Sequence, residues 1–498
     1  MFKGIATSWA GAVLTILLTY FLTPYTLGQM GQERYGAWLL ITSFTGYLAL
    51  LALGTPMSSV RHLTTAAQTK DPRQLNAAIG LLLGVNALLA VMEMTVGLVL
   101  FTLFDRLYPM SPKLESEVLP AFLLLVFQVG LSFISIVPSA VLQAEGHFVP
   151  AHSIAIVVLV CRGVVTVVSL YWLRSLGAMA LTQLACTLCE AGLGWLLVRR
   201  LVPAARFRLR RLVWADIRPV AAFSVYVLVL SLGVQLSFQT DALIVGRVLG
   251  VEAVPYYGVP NSLMVSVMGL IISIAAVVMP TATRLHQQGA TGELRVILLK
   301  WTKIAFTLVL TVAVYLVVLG PSFLGRWMGP DYKANSGVVL ITLALASIIF
   351  LPIRGVGLPL LMGLGQPRQV TLAFLGCAVV NIISSLVLIH PLGLFGEALG
   401  TAIPNAAFAL IAMVLSCRAV QLPVAELLAY VVPGPLLGSL PALAALLALR
   451  ATWEIDTYGE LVAAGVFMCL VQAAGLFLVF QRDPHIPVPA LSRFRLSG

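Results

Sequence analysis

The sequence is poor in charge. Asp, Glu, Lys and Arg make up 10% of its 498 residues, while 60% are hydrophobic. An ordinary soluble domain is about 25% charged. Mean hydropathy is +1.01. Water-soluble packing cannot hide so much apolar surface, which excludes a free-standing soluble domain and makes lipid the solvent. Acidic residues are scarcer than basic ones, 19 against 30, for a net charge of +11. Cysteine is scarce too. Cys161, Cys186, Cys189, Cys377, Cys417 and Cys469 all fall inside apolar runs, which excludes a disulfide framework. Cys186-x-x-Cys189 has no second ligand pair, and the six histidines form no cluster, so neither a metal site nor a catalytic constellation is expected. No cleavable leader is expected either, because Met1-Phe2-Lys3 runs straight into a long apolar stretch.

Long apolar runs are what the chain has in abundance. Spans of roughly 20 residues fall near 5–27, 35–54, 77–104, 118–143, 151–173, 178–198 and 219–240. They continue near 255–280, 303–320, 337–363, 370–390, 396–417, 427–449 and 460–480. The expected fold class is an all-α integral membrane protein of about fourteen transmembrane helices. With the N-terminus inside, 20 Lys and Arg residues fall on the inner side and 8 on the other, with Arg162 and Arg354 inside helices. That bias puts both termini in the cytoplasm. Tyr171-Trp172, Trp301 and Trp453 sit near helix ends as interfacial anchors.

The two halves echo each other. Leu27-Gly28…Tyr35-Gly36 matches Leu249-Gly250…Tyr257-Gly258 at an offset of 222. Leu142…Gly146 matches Leu361…Gly365 at 219, and Leu176-Gly177 matches Leu392-Gly393 at 216. An offset of six helices keeps orientation, so the repeat is parallel, with a pseudo-two-fold axis along the membrane normal. The expected organisation is a first six-helix lobe (1–198), a basic cytoplasmic linker (199–218) and a second lobe (219–426) facing it across a central cavity. Two extra helices (427–480) and a cytoplasmic tail (481–498) follow. The linker carries seven Arg in twenty residues and reads as a topology determinant on anionic lipid or a docking site for a cytoplasmic partner. With no aromatic-rich soluble module beside it, nucleic acid is not an expected partner.

Ser8, Thr15, Thr19 and Thr23 lie along one face of helix 1, and Ser224, Ser231, Gln235 and Gln239 repeat the spacing in helix 7. Thr19, Thr23, Gln235 and Gln239 are therefore candidate substrate-binding residues, against the plainer reading of small residues that let helices approach. An ionisable residue at mid-bilayer costs about 2.5–3.5 kcal/mol even on lenient scales, so it implies a partner or a wet cavity. Glu93, Arg162, Glu190 and Arg354 sit inside spans, and Asp241 ends helix 7. Two readings stand side by side. Arg162 could pair with Glu93 or Glu190 inside the first lobe, or Arg162 and Arg354 could face the cavity as anion ligands. Asp241, Glu93 and Glu190 are candidates for coupling to H+ or Na+; no other cofactor is expected.

Leu27-Gly28…Tyr35-Gly36-Ala-Trp38…Gly54…Arg61, together with Gln239-Thr240-Asp241…Gly246…Leu249-Gly250…Tyr257, resembles the bacterial polysaccharide flippases. These are the O-antigen and exopolysaccharide transporters of the multidrug/oligosaccharidyl-lipid/polysaccharide superfamily. Pro321…Trp327-Met-Gly329 and Leu392-Gly393-Leu-Phe-Gly396…Gly400-Thr401 extend the likeness across most of 1–420. The resemblance implies two six-helix lobes working by alternating access in the bacterial inner membrane. It implies a polyprenyl-pyrophosphate-linked oligosaccharide as cargo, membrane lipid as surroundings, polymerase or assembly proteins as partners, and no enzyme activity. A monomer is the default. Lipid II flippases of the superfamily also have fourteen helices, the last two forming a groove for the lipid tail, but their charged cavity residues have no clear match here. A drug or metabolite antiporter would share the fold. A membrane polymerase or glycosyltransferase would present catalytic carboxylates in sizeable outer loops. The outer loops near 105–117, 321–336 and 450–459 are short, and Asp105, Glu115, Glu117, Asp331, Glu454 and Asp456 read as solvated loop charges.

Overall fold

A computed structural model describes residues 2–52, 55–207, 232–237, 239–481 and 483–486. Every regular element among them is helical. The first half contains α1 (Phe2–Met30), α2 (Gln32–Leu48), α3 (Thr55–Gln68), α4 (Pro72–Leu107), α5 (Pro112–Ala144), α6 (Phe148–Leu173) and α7 (Leu176–Leu201). Then come α8 (Thr240–Val248), α9 (Val254–Ile272), α10 (Ala275–Gln287), α11 (Thr291–Met328), α12 (Pro330–Asn335) and α13 (Gly337–Gly363). The chain closes with α14 (Pro367–Ala419), α15 (Val424–Val431), α16 (Pro433–Thr452) and α17 (Tyr458–Phe480).

Eleven helical stretches are long and apolar enough to cross a membrane. One of them, α14, is two helices joined at Gly393, whose φ of 58° breaks the run. With that division and the 29 residues of α1, thirteen of the fourteen expected spans are in place. Most of the remaining one, 219–240, lies outside the described residues, as do Ser224, Ser231 and linker residues 208–218. The chain is a multi-pass membrane protein of the expected fold class.

One stretch differs from the sequence reading. The stretch between the spans expected at 35–54 and 77–104 is not all loop: it is helical over Thr55–Gln68. The stretch is too polar to span lipid, but no Gly or Pro interrupts it after Pro56. Its buried Leu63 packs into the same apolar cluster as Leu75, Ile79, Val137, Val141, Ile154 and Val198. The counterpart α10 follows α9 in the same way, with Val278, Ala282 and Leu285 buried.

The internal repeat is written in the backbone. Residues with positive φ pair off as Gly31 and Gly250, Lys70 and Gly289, Gly146 and Gly365, and Arg174 and Gly393. Each pair is 219 residues apart (250−31, 289−70, 365−146, 393−174). Gly31 and Gly250 adopt the same extended positive-φ cap, at φ 79°, ψ 171° and φ 93°, ψ 162°. At Gly146 and Gly365 the helix ends close alike: His147 N–H donates to Leu142 O at 2.8 Å and Gln366 N–H to Leu361 O at 3.0 Å. This six-to-one bond is the Schellman geometry, which favours glycine at the residue before the donor. A single offset of 219 thus replaces the drifting 222, 219 and 216 of the sequence match.

Contacts group the chain into two compact units, Met1–Pro255 and Tyr256–Gly498. In the first, an aromatic cluster of Phe44, Phe104, Phe122 and Tyr108 joins α2, α4 and α5, with Phe104 and Phe122 stacked at 5.2 Å. In the second, α11 is the spine. Lipid offers helices no hydrophobic drive to associate, so close packing and polar ties must hold them. α16 and α17 cross where a Cβ on Gly475 would lie 2.3 Å from Gly438 O. Both are tied to α11 along its length. Gln472 donates to Thr311 (3.4 Å), Tyr315 to Leu461 O (3.3 Å), Arg450 to Val318 O (2.8 Å) and Tyr458 to Arg326 O (3.2 Å).

In its N-terminal half α11 holds the start of the tail. Lys303 Nζ lies 2.6 Å from Asp483 Oδ2, with side chains 7% and 0% exposed. Tyr430 O–H and the N–H groups of His485 and Ile486 donate to Asp483 Oδ1. The Lys303 ammonium sits 4.2 Å from the Tyr430 ring centroid and 5.3 Å from that of Phe480. Burial pushes the Asp483 carboxyl up. The hydrogen bonds from Lys303, Tyr430 and His485 N–H, with the Lys303 charge, outweigh that and hold it below the usual carboxylate range.

Candidate functional site

In the first unit the polar residues gather where α2 meets the chain of 232–255. Small side chains let the backbones touch. A Cβ on Gly36 would lie 2.1 Å from Val251 O, one on Gly46 2.4 Å from Gln235 Nε2, and one on Gly246 2.6 Å from Leu40 Cδ2. Hydrogen bonds line the same seam. Gln32 Nε2 donates to Glu252 O (3.1 Å), Ser43 to Gln239 Oε1 (3.3 Å) and Tyr47 O–H to Gln235 O (3.3 Å). Tyr47 also meets the Thr240 hydroxyl, and Tyr108 O–H donates to Leu243 O at 3.1 Å. Burial pushes the Tyr108 phenol up, against the opposing charge of Arg247. Asp241 is fully buried in the first turn of α8, where the helix N-terminus favours a carboxylate, and acts electrostatically on Tyr47.

The sequence-derived candidates thus fall into separate places. Gln235, Gln239 and Asp241 come together, on the seam with α2. Thr19 and Thr23 back-bond to their own helix, at 2.8 Å to Thr15 O and 2.7 Å to Thr19 O. Thr19 is exposed and Thr23 is buried. Arg162, half-buried on α6, lies beside the Cys186 thiol of α7. Among the described residues no ion pair joins it to Glu93 or to the half-buried Glu190. Glu93 is 0% exposed, and neither carboxylate oxygen has a hydrogen-bond partner among the described residues. It points at Gly130 of α5, where a Cβ would lie 2.9 Å from Glu93 Oε2.

Arg354 belongs to the second unit. It is 7% exposed, and its guanidinium lies 5.5 Å from the Phe350 centroid and 5.1 Å from that of Phe374. In this conformation it is sheathed in aromatic faces, whose quadrupoles attract a cation. Asn381, Thr401 and Tyr257 form a buried hydrogen-bonded cluster in the same unit. Sequence reasoning missed Ser43 and Tyr47. Their spacing of four, on either side of Gly46 in a mostly apolar span, is the signal that marks them. The described residues contain no group of three or more His, Cys, Asp or Glu arranged to hold a metal.

The fold and these residues can now be set beside known proteins. The family described as "Polysaccharide biosynthesis protein" matches residues 91–335. The "uncharacterized membrane protein EpsK" of Bacillus subtilis (strain 168) is 22% identical over 486 residues, covering 94% of this chain and 93% of that one. The lipid II flippase MurJ in an inward closed conformation superposes with a TM-score of 0.72 at 12% identity, over 97% of this chain and 99% of that one. An inward-facing multidrug resistance MATE family transporter of the MOP superfamily gives 0.66 at 16% identity, over 82% and 98%. The likeness read from the sequence holds, and the chain shares the all-helical fold of these two transporters.

Proposed function

We propose that this chain is a flippase of the bacterial cytoplasmic membrane, with both termini inside, moving polyprenyl-pyrophosphate-linked oligosaccharide from the inner to the outer leaflet for surface polysaccharide synthesis. The observation that carries this reading is the combination of a match to a polysaccharide biosynthesis family over 91–335 with a fold shared with the lipid II flippase MurJ over 97% of the chain. The MATE likeness spans nearly all of that transporter but stops at 82% of this chain. The antiporter reading therefore leaves the chain's remainder without a role.

The repeat supports alternating access. Gly36 belongs to the first copy and Val251 to the second, and the seam they form lies on the outer side by the charge bias. Rocking one copy against the other must part it. The seam is the outer gate, closed in this conformation, and Gln235, Gln239 and Asp241 become accessible to cargo when it opens. Arg162 and Arg354 are the cationic groups available to the pyrophosphate, with Thr19 and Thr23 on the path of the glycan. Export of about two negative charges from a negative interior is favoured by about 5 kcal/mol per 100 mV, if no protein charge moves with them. H+ or Na+ at Asp241, Glu93 or Glu190 would reset the carrier.

Deletion in the native bacterium tests the function. Lipid-linked saccharide should accumulate, shielded from an impermeant glycosidase, while one surface polymer disappears. Unchanged saccharide pools with altered drug tolerance would instead establish the antiporter.

A further inference from the structure

A cavity lies inside the Tyr256–Gly498 unit. It is a cleft of about 120 Å³ between α11, α13, the second half of α14 and α15. Phe306, Pro352, Ile353, Met413 and Val431 make its walls apolar. Its rim residues Ile349, Leu410 and Leu428 are 48%, 53% and 43% exposed, so it opens on the lipid-facing side of the unit.

One polar group lines this apolar space. Thr302 is 3% exposed, and its hydroxyl has no hydrogen-bond partner among the described residues. Its neighbours on α11 behave differently: Thr307 and Thr311 donate to the carbonyls four residues back, at 2.7 and 2.8 Å. That back-bond is the ordinary way to satisfy a helical threonine in lipid. A buried hydroxyl held off it carries an unmet desolvation cost that a ligand acceptor can remove.

The height of the site narrows the ligand. Thr302 follows Lys300 and Trp301, at the interfacial inner end of α11. Half-buried Lys300 comes two residues before Thr302 on α11 and exposed Arg418 five after Met413 on α14, cationic groups complementary to an anionic headgroup. A ligand here needs a hydrocarbon chain for the cleft, an acceptor just below the headgroup for Thr302, and a negative charge above. An acyl phospholipid has all three, because its ester carbonyl sits between headgroup and chain. An isoprenoid chain has no oxygen beyond its phosphoester.

We propose that this cleft is a binding site for one acyl chain of an anionic phospholipid of the inner leaflet, with Thr302 donating to the ester carbonyl. The bound lipid fills the junction between α15, which leads into α16 and α17, and the body of the second unit. The site does not depend on the cargo and holds under either transport reading.

Native mass spectrometry of the purified full chain tests this, titrating diacyl phosphatidylglycerol against its dialkyl-ether analogue, which lacks the ester carbonyl. The diacyl form should bind about two- to tenfold more tightly, the worth of one net hydrogen bond. Thr302→Val should abolish that preference. Met413→Trp should abolish binding of both forms by filling the cleft, with Leu410→Trp at the rim as the substitute if the first variant fails to fold. Equal binding of ester and ether lipid by the native chain would overturn the Thr302 contact. Lipid retention unchanged by either tryptophan would overturn the site. Undecaprenyl phosphate displacing the phospholipid in a Thr302-dependent way would overturn the assignment of the lipid.

Discussion

Replacing Gly36 by alanine probes the seam with a single carbon atom. The added Cβ would lie 2.1 Å from Val251 O, 3.0 Å from Val251 C and 3.2 Å from Pro255 Cδ. The neighbours are backbone and a proline ring, not the end of a flexible side chain, so α2 and the 251–255 segment must move apart. Overpacking of this kind costs about 1–3 kcal/mol. Alanine also raises helix propensity, but equally in every state that keeps α2 helical, so that gain cancels. If the seam exists only in the outward-closed state, the cost falls on that state alone and shifts the equilibrium outward-open by about 5- to 150-fold. The readout is Ser43→Cys in a cysteine-free background, labelled from outside by an impermeant maleimide. Ser43 is 5% exposed and bonded to Gln239 here, so it should react slowly until the seam parts. Gly28→Ala is the matched control, because nothing lies within 4 Å of its added Cβ. Labelling should accelerate in Gly36→Ala and stay unchanged in Gly28→Ala. Equal rates in the two variants, with both folded, would refute the gate.

Three further outcomes follow from the packing. Lys303→Met leaves Asp483 charged and buried, and should lower stability by about 3–5 kcal/mol in thermal unfolding, whereas Lys303→Met with Asp483→Leu should recover most of it. The Asp483 carboxyl is held below its unfolded value of about 3.9, so the stability it contributes is present above that pH and is lost as pH falls through the lower folded value; unfolding scans from pH 7 to pH 5 should show no loss from this pair. Glu93→Gln should fold at least as well as the native chain, since it removes a carboxyl with no hydrogen-bond partner among the described residues, and should abolish any pH dependence of transport that Glu93 carries. Arg354→Lys should cost about 0.5–2 kcal/mol of stability by weakening the contacts with Phe350 and Phe374, while Arg354→Glu should also abolish transport if the guanidinium receives the pyrophosphate.

Much of this architecture was legible because lipid imposes a simple rule: apolar runs of spanning length must be helices. The Leu142…Gly146 and Leu361…Gly365 match carried the true offset of 219. The match at Leu176-Gly177 and Leu392-Gly393 slipped by three, because the conserved feature is a backbone turn that Arg174 makes in one copy and Gly393 in the other. Identity cannot reveal that equivalence, and only φ does. Polar spacing found Gln235 and Gln239, but their partners Ser43 and Tyr47 lie nearly two hundred residues away, where no local pattern connects them. Asp483 falls in the expected cytoplasmic tail, 481–498, where no pattern singles it out. Its burial against Lys303 depends on α11 and α15 arriving beside it, a tertiary fact invisible in the sequence order. Arg162 and Arg354 illustrate the opposite limit: their cost in lipid was evident, while the thiol beside one and the rings around the other were not.

The central claim is transport of a lipid-linked saccharide, and reconstitution tests it most directly. Purified protein in proteoliposomes would be given an undecaprenyl-pyrophosphate oligosaccharide in both leaflets, and an impermeant glycosidase would be added outside. Digestion that proceeds past the outer-leaflet half, accelerates when the membrane potential favours outward movement of negative charge, and slows in Arg162→Glu with Arg354→Glu is the predicted result. Digestion that stops at half in intact vesicles, with the protein folded and correctly oriented, would contradict the account.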